Sequence, residues 1–140
     1  GGQVCTSDHF CLGAAEMHLT PEGKKDPLLS VYDGHRGIHF NNDVAVVLPE
    51  DAVLLARDPT GQIEAVRFAE RAWGVQFHPE CTPEIFDAWT IGHGEKEWQQ
   101  RLPWSEAVTV AETVRRDIDT VNAEEAFAAR FQELIDPEKR

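Results

Sequence analysis

The stretch Trp73-Gly74-Val75-Gln76-Phe77-His78-Pro79-Glu80 decides the fold of this chain. An apolar segment ends here in a histidine and a glutamate that are separated by one proline. In extended backbone the side chains of residues i and i+2 point to the same side, so His78 and Glu80 are predicted to project together from a strand end. A carboxylate that binds one ring nitrogen of a histidine fixes its tautomer and leaves the other nitrogen able to accept a proton from a nucleophile. The pair therefore has the pattern of a general base and its orienting group.

A structural interpretation of the same two residues competes with the catalytic one. In that interpretation His78 is a hydrogen-bonded histidine at a strand terminus, and Glu80 is a solvated side chain beside it. Short motifs often match by chance, and an isolated H-x-E pattern is more often structural than catalytic. The rest of the sequence has to decide between the two.

The first ninety residues carry strand signals. Apolar runs bounded by turn residues predict strands over 15–19, 44–48, 52–56, 63–68 and 72–77, the last two as a hairpin. His35, His39 and His93 lie in polar, glycine-containing stretches and are predicted to be solvated loop residues.

The remainder of the chain carries helix signals. Thr82 is a suitable N-cap, followed by Pro83, for a helix that ends near residues 92–94. A longer helix with one apolar stripe follows Ser105, and a last helix begins at a capping box formed by Asn122 and Glu125. Strands that alternate with helices indicate an α/β fold.

Length and charge limit the classes of protein to consider. The chain has 140 residues, enough for one domain, and 25 acidic against 13 basic residues give a net charge of −12. Such a surface repels phosphates, which argues against nucleic-acid and anionic-membrane partners. Apolar runs fall far short of the roughly 20 residues that cross a bilayer, and the N-terminus lacks a signal-peptide pattern. Three cysteines are too few for a disulfide framework, which favours a cytoplasmic protein.

The octapeptide closely resembles the triad segment of class I glutamine amidotransferases, the Cys-His-Glu glutaminases that supply ammonia to synthetases. Other segments share the likeness, which covers about residues 1–94. They are Gly1-Gly2-Gln3-Val4, similar to the end of the helix after the nucleophile; Leu19-Thr20-Pro21-Glu22-Gly23 with Asp26-Pro27-Leu28, similar to the stand-alone, GMP-synthase-like members; Leu48-Pro49 with Ala52, Leu55 and Ala56; and Thr82-Pro83-Glu84.

The resemblance implies a three-layer, flavodoxin-like or Rossmann-like fold around a mainly parallel sheet. Residues 1–94 would form the C-terminal part of the amidotransferase-like domain, and residues 95–140 a helical extension packed on it. The implied reaction is hydrolysis of the glutamine side-chain amide to glutamate and ammonia, without a cofactor, with His78 and Glu80 as catalytic residues. A synthetase or another ammonia acceptor is the implied partner.

The chain departs from the family pattern at the nucleophile. The family cysteine lies in a G-x-C-x-G elbow that also builds the oxyanion hole, and this sequence has no such elbow. The preferred alignment would place it before residue 1, so the chain alone is expected to be inactive. Cys11 is a weaker nucleophile candidate, because His9 replaces the first elbow glycine and the spacing to His78 is short. Cys81 follows Glu80 too closely to serve.

Two further expectations concern the pocket and metals. Asn41 lies where related proteins often have the histidine of W-H-x-D near the substrate, so ordinary glutamine binding is in question. The Cys5, His9 and Cys11 cluster and the His78-x-x-Cys81 pattern lack standard zinc spacing, and no metal site is expected. A non-catalytic amidotransferase-like binding module, and a hydrolase of another small amide or γ-glutamyl compound, stay as alternatives.

Overall fold

A computed structural model describes residues 1–90, 102–121 and 123–136. The strands in this part of the chain are β1 (Gln3–Glu16), β2 (His18–Leu19), β3 (Arg36–Val47), β4 (Val53–Arg57), β5 (Ile63–Ala69) and β6 (Ala72–Val75). The helices are α1 (Pro21–Lys25), α2 (Pro83–Trp89), α3 (Trp104–Val121) and α4 (Glu124–Ile135), with a 3-10 turn at Leu29–Tyr32.

The strands form two sheets. β1 and β3 pair as a long ribbon, and β2, β4, β5 and β6 form a four-stranded sheet in the order β2-β4-β5-β6. All the pairings in the described residues are antiparallel, which differs from the mainly parallel sheet expected above. The connections explain the difference, because β4, β5 and β6 follow one another through short turns and a parallel pair needs a crossover of about a dozen residues.

The turn between β4 and β5 is built around one carboxylate. Asp58 accepts hydrogen bonds from the backbone N–H groups of Thr60 and Gln62 at 2.9 and 2.8 Å. This local arrangement reverses the chain within a few residues. The second turn, at Glu70 and Arg71, joins β5 to β6 as the predicted hairpin.

β1 is the element that the sequence patterns missed. A strand was expected only over 15–19, and that run is interrupted at Met17, whose N–H donates to the carbonyl of His35. Gln3 and Val4 belong to β1 and do not end a helix, since they pair with Val47 and Ala45. Pairing with β3 makes this segment a strand, although its own composition is only a weak strand signal.

α1 is fixed against β4 by a close backbone approach. Thr20 caps the helix by accepting from the N–H of Gly23, and its hydroxyl donates to the carbonyl of Leu54 at 2.9 Å. A Cβ atom at Gly23 would collide with the carbonyl oxygen of Leu55, so only glycine fits there.

Asp26 joins the end of α1 to the four-stranded sheet. One carboxylate oxygen accepts from the N–H groups of Leu28 and Leu29, each at 2.9 Å, and from the indole N–H of Trp73 at 3.1 Å. The other lies 3.2 Å from the guanidinium of Arg67. The side chain is fully buried, and these four donors replace the water it loses.

Among the described residues, the hydrophobic core consists of two clusters. One lies between the four-stranded sheet, the 3-10 turn and α4, and the other lies between the ribbon, α2 and α3. α3 buries the predicted apolar stripe in the second cluster through Ala111, Val114 and Ile118. In α4, Phe127 and Leu134 pack against the first cluster, whereas Phe131 is 41% exposed.

Some of the predicted helix ends fall within the described residues and others do not. Thr82 caps α2 by accepting from the N–H of Ile85 at 3.3 Å, as expected, and α2 ends at Trp89. The predicted end at 92–94, the predicted cap Asn122 and the boundary between residues 94 and 95 lie outside the described residues. α4 begins at Glu124 after Ala123, whose side chain makes no capping hydrogen bond.

Candidate active site

The backbone that carries His78 is held between the two sheets. Beyond the end of β6, the N–H of Gln76 donates to the carbonyl of Glu64 at 2.9 Å. The N–H of His78 donates to the carbonyl of Ile38 on β3 at 2.7 Å. A Cβ atom at Gly37 would lie 2.7 Å from the Cβ of Phe77, so the absence of a side chain at Gly37 permits this approach.

His78 and Glu80 lie side by side, as the i, i+2 spacing predicts. Nδ1 of His78 is 2.7 Å from Oε1 of Glu80, and because a carboxylate only accepts, Nδ1 carries the proton. Within the described residues, no hydrogen bond occupies Nε2 of His78, and the side chain is 30% exposed. The ring is therefore oriented by a carboxylate and presents one accessible nitrogen, the arrangement of a general base.

One aromatic side chain contacts this pair, and a second one packs against the first. The ring of Trp89 on α2 is 4.7 Å from the ring of His78, at an interplanar angle of 62°. Phe40 on β3 also packs against Trp89, with ring centroids 5.6 Å apart. The sequence analysis did not assign a role to either residue.

The Cys81 thiol is buried and in an environment that disfavours the reactive thiolate. It donates to the carbonyl of Thr82 at 3.7 Å, and burial, followed by the charges of Glu80 and Glu124, raises its pKa to about 12. A thiol in this state stays protonated at neutral pH, whereas the thiolate is the nucleophile.

Cys11 also lacks the environment of a nucleophile. Its sulfur accepts a hydrogen bond from Nε2 of Gln62 at 3.9 Å, which by itself would lower the pKa of the thiol. Burial, together with the charges of Glu64 and Asp58, has the larger effect and raises this pKa. Across the described residues, no hydrogen bond joins the sulfur of a cysteine to His78. Cys5, on β1, is exposed.

A second histidine–glutamate pair was missed by the sequence analysis. His39 was expected in a solvated loop, but it lies on β3 with a 4% exposed surface, whereas His35 is exposed as expected. Nε2 of His39 lies 2.6 Å from Oε2 of the buried Glu64, and Nδ1 lies 3.1 Å from the carbonyl oxygen of Gly37. The residue in the sequence that could have revealed this pair is Glu64, because a carboxylate inside an apolar strand segment requires a buried partner.

This second pair does not form a site with Cys11. His39, Glu64 and Cys11 line a common cavity of about 210 Å³. Both ring nitrogens of His39 already face oxygen partners, so the ring has no nitrogen left to accept a thiol proton. His39 and Glu64 are therefore interpreted as a buried structural pair.

The remaining candidates can be placed briefly. The Asn41 amide donates to the carbonyl of Asp43 at 3.1 Å, and its buried carbonyl oxygen has no hydrogen-bond partner among the described atoms. In the part of the chain that the structure describes, no three His, Cys, Asp or Glu side chains gather as metal ligands. No helix there has both the length and the apolar content to span a membrane.

An apolar groove of about 350 Å³ opens beside the segment that leads to His78. It lies between the start of the ribbon and the β5–β6 hairpin, and its floor includes Val66, Gly74 and Val75. Three of its apolar side chains are strongly exposed, namely Val4 at 66%, Val47 at 49% and Phe68 at 48%.

Sequence comparison finds relatives of known activity. The chain is 41% identical over 66 residues to a GMP synthase [glutamine-hydrolyzing] of Hahella chejuensis, which covers 46% of this chain and 11% of that protein. It is 35% identical over 97 residues to the GMP synthase [glutamine-hydrolyzing] of Marinobacter nauticus, covering 59% of this chain and 17% of that one. The chain thus spans less than a fifth of these relatives, and no protein-family model matches it.

Structural comparison finds the same kind of protein. A glutamine amidotransferase from Thermotoga maritima matches 97% of this chain and 56% of its own, with a TM-score of 0.71 and 13% identity. The glutamine amidotransferase from Methylobacillus flagellatus matches 97% and 57%, with a TM-score of 0.71 and 18% identity. The sequence and structural similarities agree, and the chain has a class I glutamine amidotransferase-like fold.

Proposed function

We propose that this chain contributes His78 and Glu80 to the hydrolysis of the glutamine side-chain amide, which yields glutamate and ammonia. The observation that carries the proposal is the 2.7 Å contact between Nδ1 of His78 and Oε1 of Glu80. It leaves Nε2 as the nitrogen that exchanges protons with the reacting groups. The glutamine-hydrolysing relatives support the choice of substrate.

The reaction uses the pair in two steps. In the first, Nε2 of His78 takes the proton of a cysteine thiol, the sulfur attacks the amide carbon, and the imidazolium returns the proton to the departing ammonia. In the second, Nε2 takes a proton from water, the hydroxide attacks the thioester carbon, the carbon–sulfur bond breaks, and the imidazolium returns the proton to the leaving sulfur. The glutamate side-chain acid then loses its own proton to ammonia or solvent. Glu80 holds Nδ1 throughout and stabilises the imidazolium in each step.

The thiol in this proposal comes from a polypeptide segment other than these 140 residues. The contacts of Cys11 and Cys81, together with their raised pKa values, argue against either as the nucleophile. The apolar groove, whose lining reaches Gln76, and the outer edge of β6, which is the last strand of its sheet among the described residues, offer a surface that such a segment could cover. The solved glutamine amidotransferases have more chain than this one matches, which is consistent with a further contribution.

The proposed setting follows from the chemistry of the product. Ammonia released at this site would pass to a synthetase-type acceptor, in keeping with the synthase relatives. The cytoplasm is the proposed compartment, because none of the three cysteines forms a disulfide.

An ammonia-release assay with glutamine tests the proposal. The chain is assayed alone and as a fusion that carries, ahead of Gly1, a segment with a G-x-C-x-G elbow taken from a glutamine amidotransferase. We expect turnover only from the fusion, and a loss of at least 100-fold on His78→Ala. His35→Ala is the matched control, since His35 is an exposed histidine outside the His78–Glu80 pair, and should leave the rate unchanged.

Two results would contradict the proposal. A folded fusion without glutaminase activity would remove the catalytic role of His78. Turnover by the chain alone that disappears on Cys11→Ser would show that the nucleophile lies within these residues.

The groove favours a second candidate function, a non-catalytic binding module. Exposed Val4, Val47 and Phe68 form an apolar surface that a protein partner can cover without any chemistry at His78. This alternative predicts that Phe68→Ser weakens association with a partner while His78→Ala has no effect. An inactive but correctly folded fusion would favour it.

A further inference from the structure

We propose that Trp89 is a positioning residue that holds the His78 imidazole in its reactive orientation, which rests on the function proposed above. The ring centroids lie 4.7 Å apart at 62°, so the two rings meet edge to face. Such edge-to-face contacts between rings are favourable beyond the buried area alone, which biases a side chain toward one rotamer.

The hydrogen bond to Glu80 orients the ring but is exposed to solvent. The Glu80 side chain is 57% exposed and that of His78 is 30% exposed, so water competes for both ends of the contact. Exposed pairs of this kind contribute little because solvent screens them and the side chains lose entropy. A packed neighbour has to supply the remaining restraint on the ring.

Trp89 can supply it because α2 is firmly anchored. Phe86, one turn earlier on α2, is completely buried in the second core cluster. Asp87 forms an ion pair with Arg115, which ties α2 to α3. The helix therefore presents the indole from a rigid support, and rigid support is what keeps a reactive group within productive geometry.

Phe40 completes the restraint from another element. Its ring lies 5.6 Å from that of Trp89, and Phe40 is on β3, two residues from Ile38, which accepts the backbone N–H of His78. The indole thus contacts both an aromatic ring on the ribbon and the imidazole. The same ribbon fixes both the backbone of His78 and the neighbour of its ring.

Nitrogen NMR of the histidine rings tests this inference on the 140-residue chain without any turnover. The chain is labelled with 15N-histidine, and the His78 signals are assigned by their loss in His78→Gln. In the parent chain we expect the neutral His78 ring to occur as a single Nδ1–H tautomer, with nuclear Overhauser contacts between His78 and Trp89. Trp89→Leu should shift the His78 signals toward a mixture of tautomers and abolish the single orientation.

Two variants control for general damage. Trp89→Phe retains an aromatic ring and should preserve the Nδ1–H tautomer. Trp104→Leu makes the same substitution at the first residue of α3 and should leave the His78 signals unchanged. Unchanged His78 signals in Trp89→Leu would overturn the proposal. The absence of Overhauser contacts between the two rings in the parent chain would also overturn it, and this second measurement does not depend on the folding of any variant.

The Cys-bearing fusion adds a kinetic readout. There, Trp89→Leu should lower kcat on the order of 10- to 100-fold with little change in KM, and Trp89→Phe should restore most of the rate. If the fusion has no activity, the proposed function fails, while the ring signals still decide whether Trp89 positions His78.

Discussion

Nε2 of His39 lies 2.6 Å from Oε2 of Glu64, in surroundings that leave the two side chains 5% and 1% exposed. The two residues are 25 positions apart in sequence and belong to different sheets. Gln62 adds a longer hydrogen bond to the other carboxylate oxygen at 3.4 Å. The pair therefore links the ribbon to the four-stranded sheet through a buried polar contact.

Removing one partner of this pair should destabilise the fold. In Glu64→Ala the polar ring of His39 stays buried without its acceptor, and we expect the free energy of unfolding to fall by about 3 kcal/mol. Urea denaturation measures the change. Glu70→Ala, an exposed glutamate in the next turn, should change the free energy by less than about 0.5 kcal/mol. Equal effects of the two substitutions would show that the buried contact is not stabilising.

The Asp26 network should be equally sensitive. Asp26→Ala leaves the Trp73 indole N–H and two backbone N–H groups without an acceptor, so we expect a loss of about 3 kcal/mol in thermal or urea unfolding. Asp33→Ala is the matched control, because Asp33 forms an exposed pair with Lys24 and should contribute at most about 1 kcal/mol.

Alkylation should separate the cysteines by their environment. Cys5 is exposed and should react with iodoacetamide in the native chain, whereas Cys81, whose pKa burial raises to about 12, should react only after unfolding. Mass spectrometry of the labelled peptides identifies the reacted sites. Native labelling of Cys81 at the rate of Cys5 would contradict the buried, protonated state.

The same thiol makes stability fall at alkaline pH. An unfolded cysteine ionises near about pH 8.5, whereas folded Cys81 stays protonated until about 12. Its stabilising contribution is therefore complete below about 8.5 and is lost progressively as the pH rises toward 12. Cys81→Ala should flatten this part of the pH dependence of the unfolding free energy, and an unchanged slope would contradict the assignment.

Glu84 should act in the opposite direction at acidic pH. Hydrogen bonds from its own backbone N–H and from the Thr82 hydroxyl lower the pKa of its carboxyl group. A carboxyl with a lowered pKa stabilises the fold above its unfolded pKa and loses that contribution as the pH falls through the folded value. Glu84→Gln should therefore destabilise the chain at neutral pH and have no effect in strong acid, measured by urea midpoints. Glu112→Gln, on the exposed face of α3, is the control.

Local sequence signals predicted the elements whose partners are close in the chain. The hairpin of β5 and β6, the Thr82 cap and the contact of His78 with Glu80 each involve residues a few positions apart. Backbone geometry nearly determines these contacts, since extended chain brings residues i and i+2 to one side and a helix start needs an acceptor. The family resemblance of the same segment predicted the amidotransferase-like fold, which the comparisons confirm.

Contacts between distant residues were not predictable in this way. β1 has a weak strand signal of its own, and its ladder with β3, about 30 residues later, makes it a strand. The mainly parallel sheet that the family resemblance implied is not the arrangement of the described strands, and apart from the predicted β5–β6 hairpin their direction is a property of the pairing and not of either strand.

The sequence by itself determined the His78–Glu80 pair, the strand and helix positions around it and the lack of a family-type elbow within these 140 residues. Only the tertiary structure placed Trp89 against His78, buried His39 on Glu64 and surrounded Asp26 with donors from three segments. The physical reason is that burial and long-range hydrogen bonding depend on how sheets and helices pack. The local pattern of a segment specifies which face is apolar but not which distant side chain will meet it.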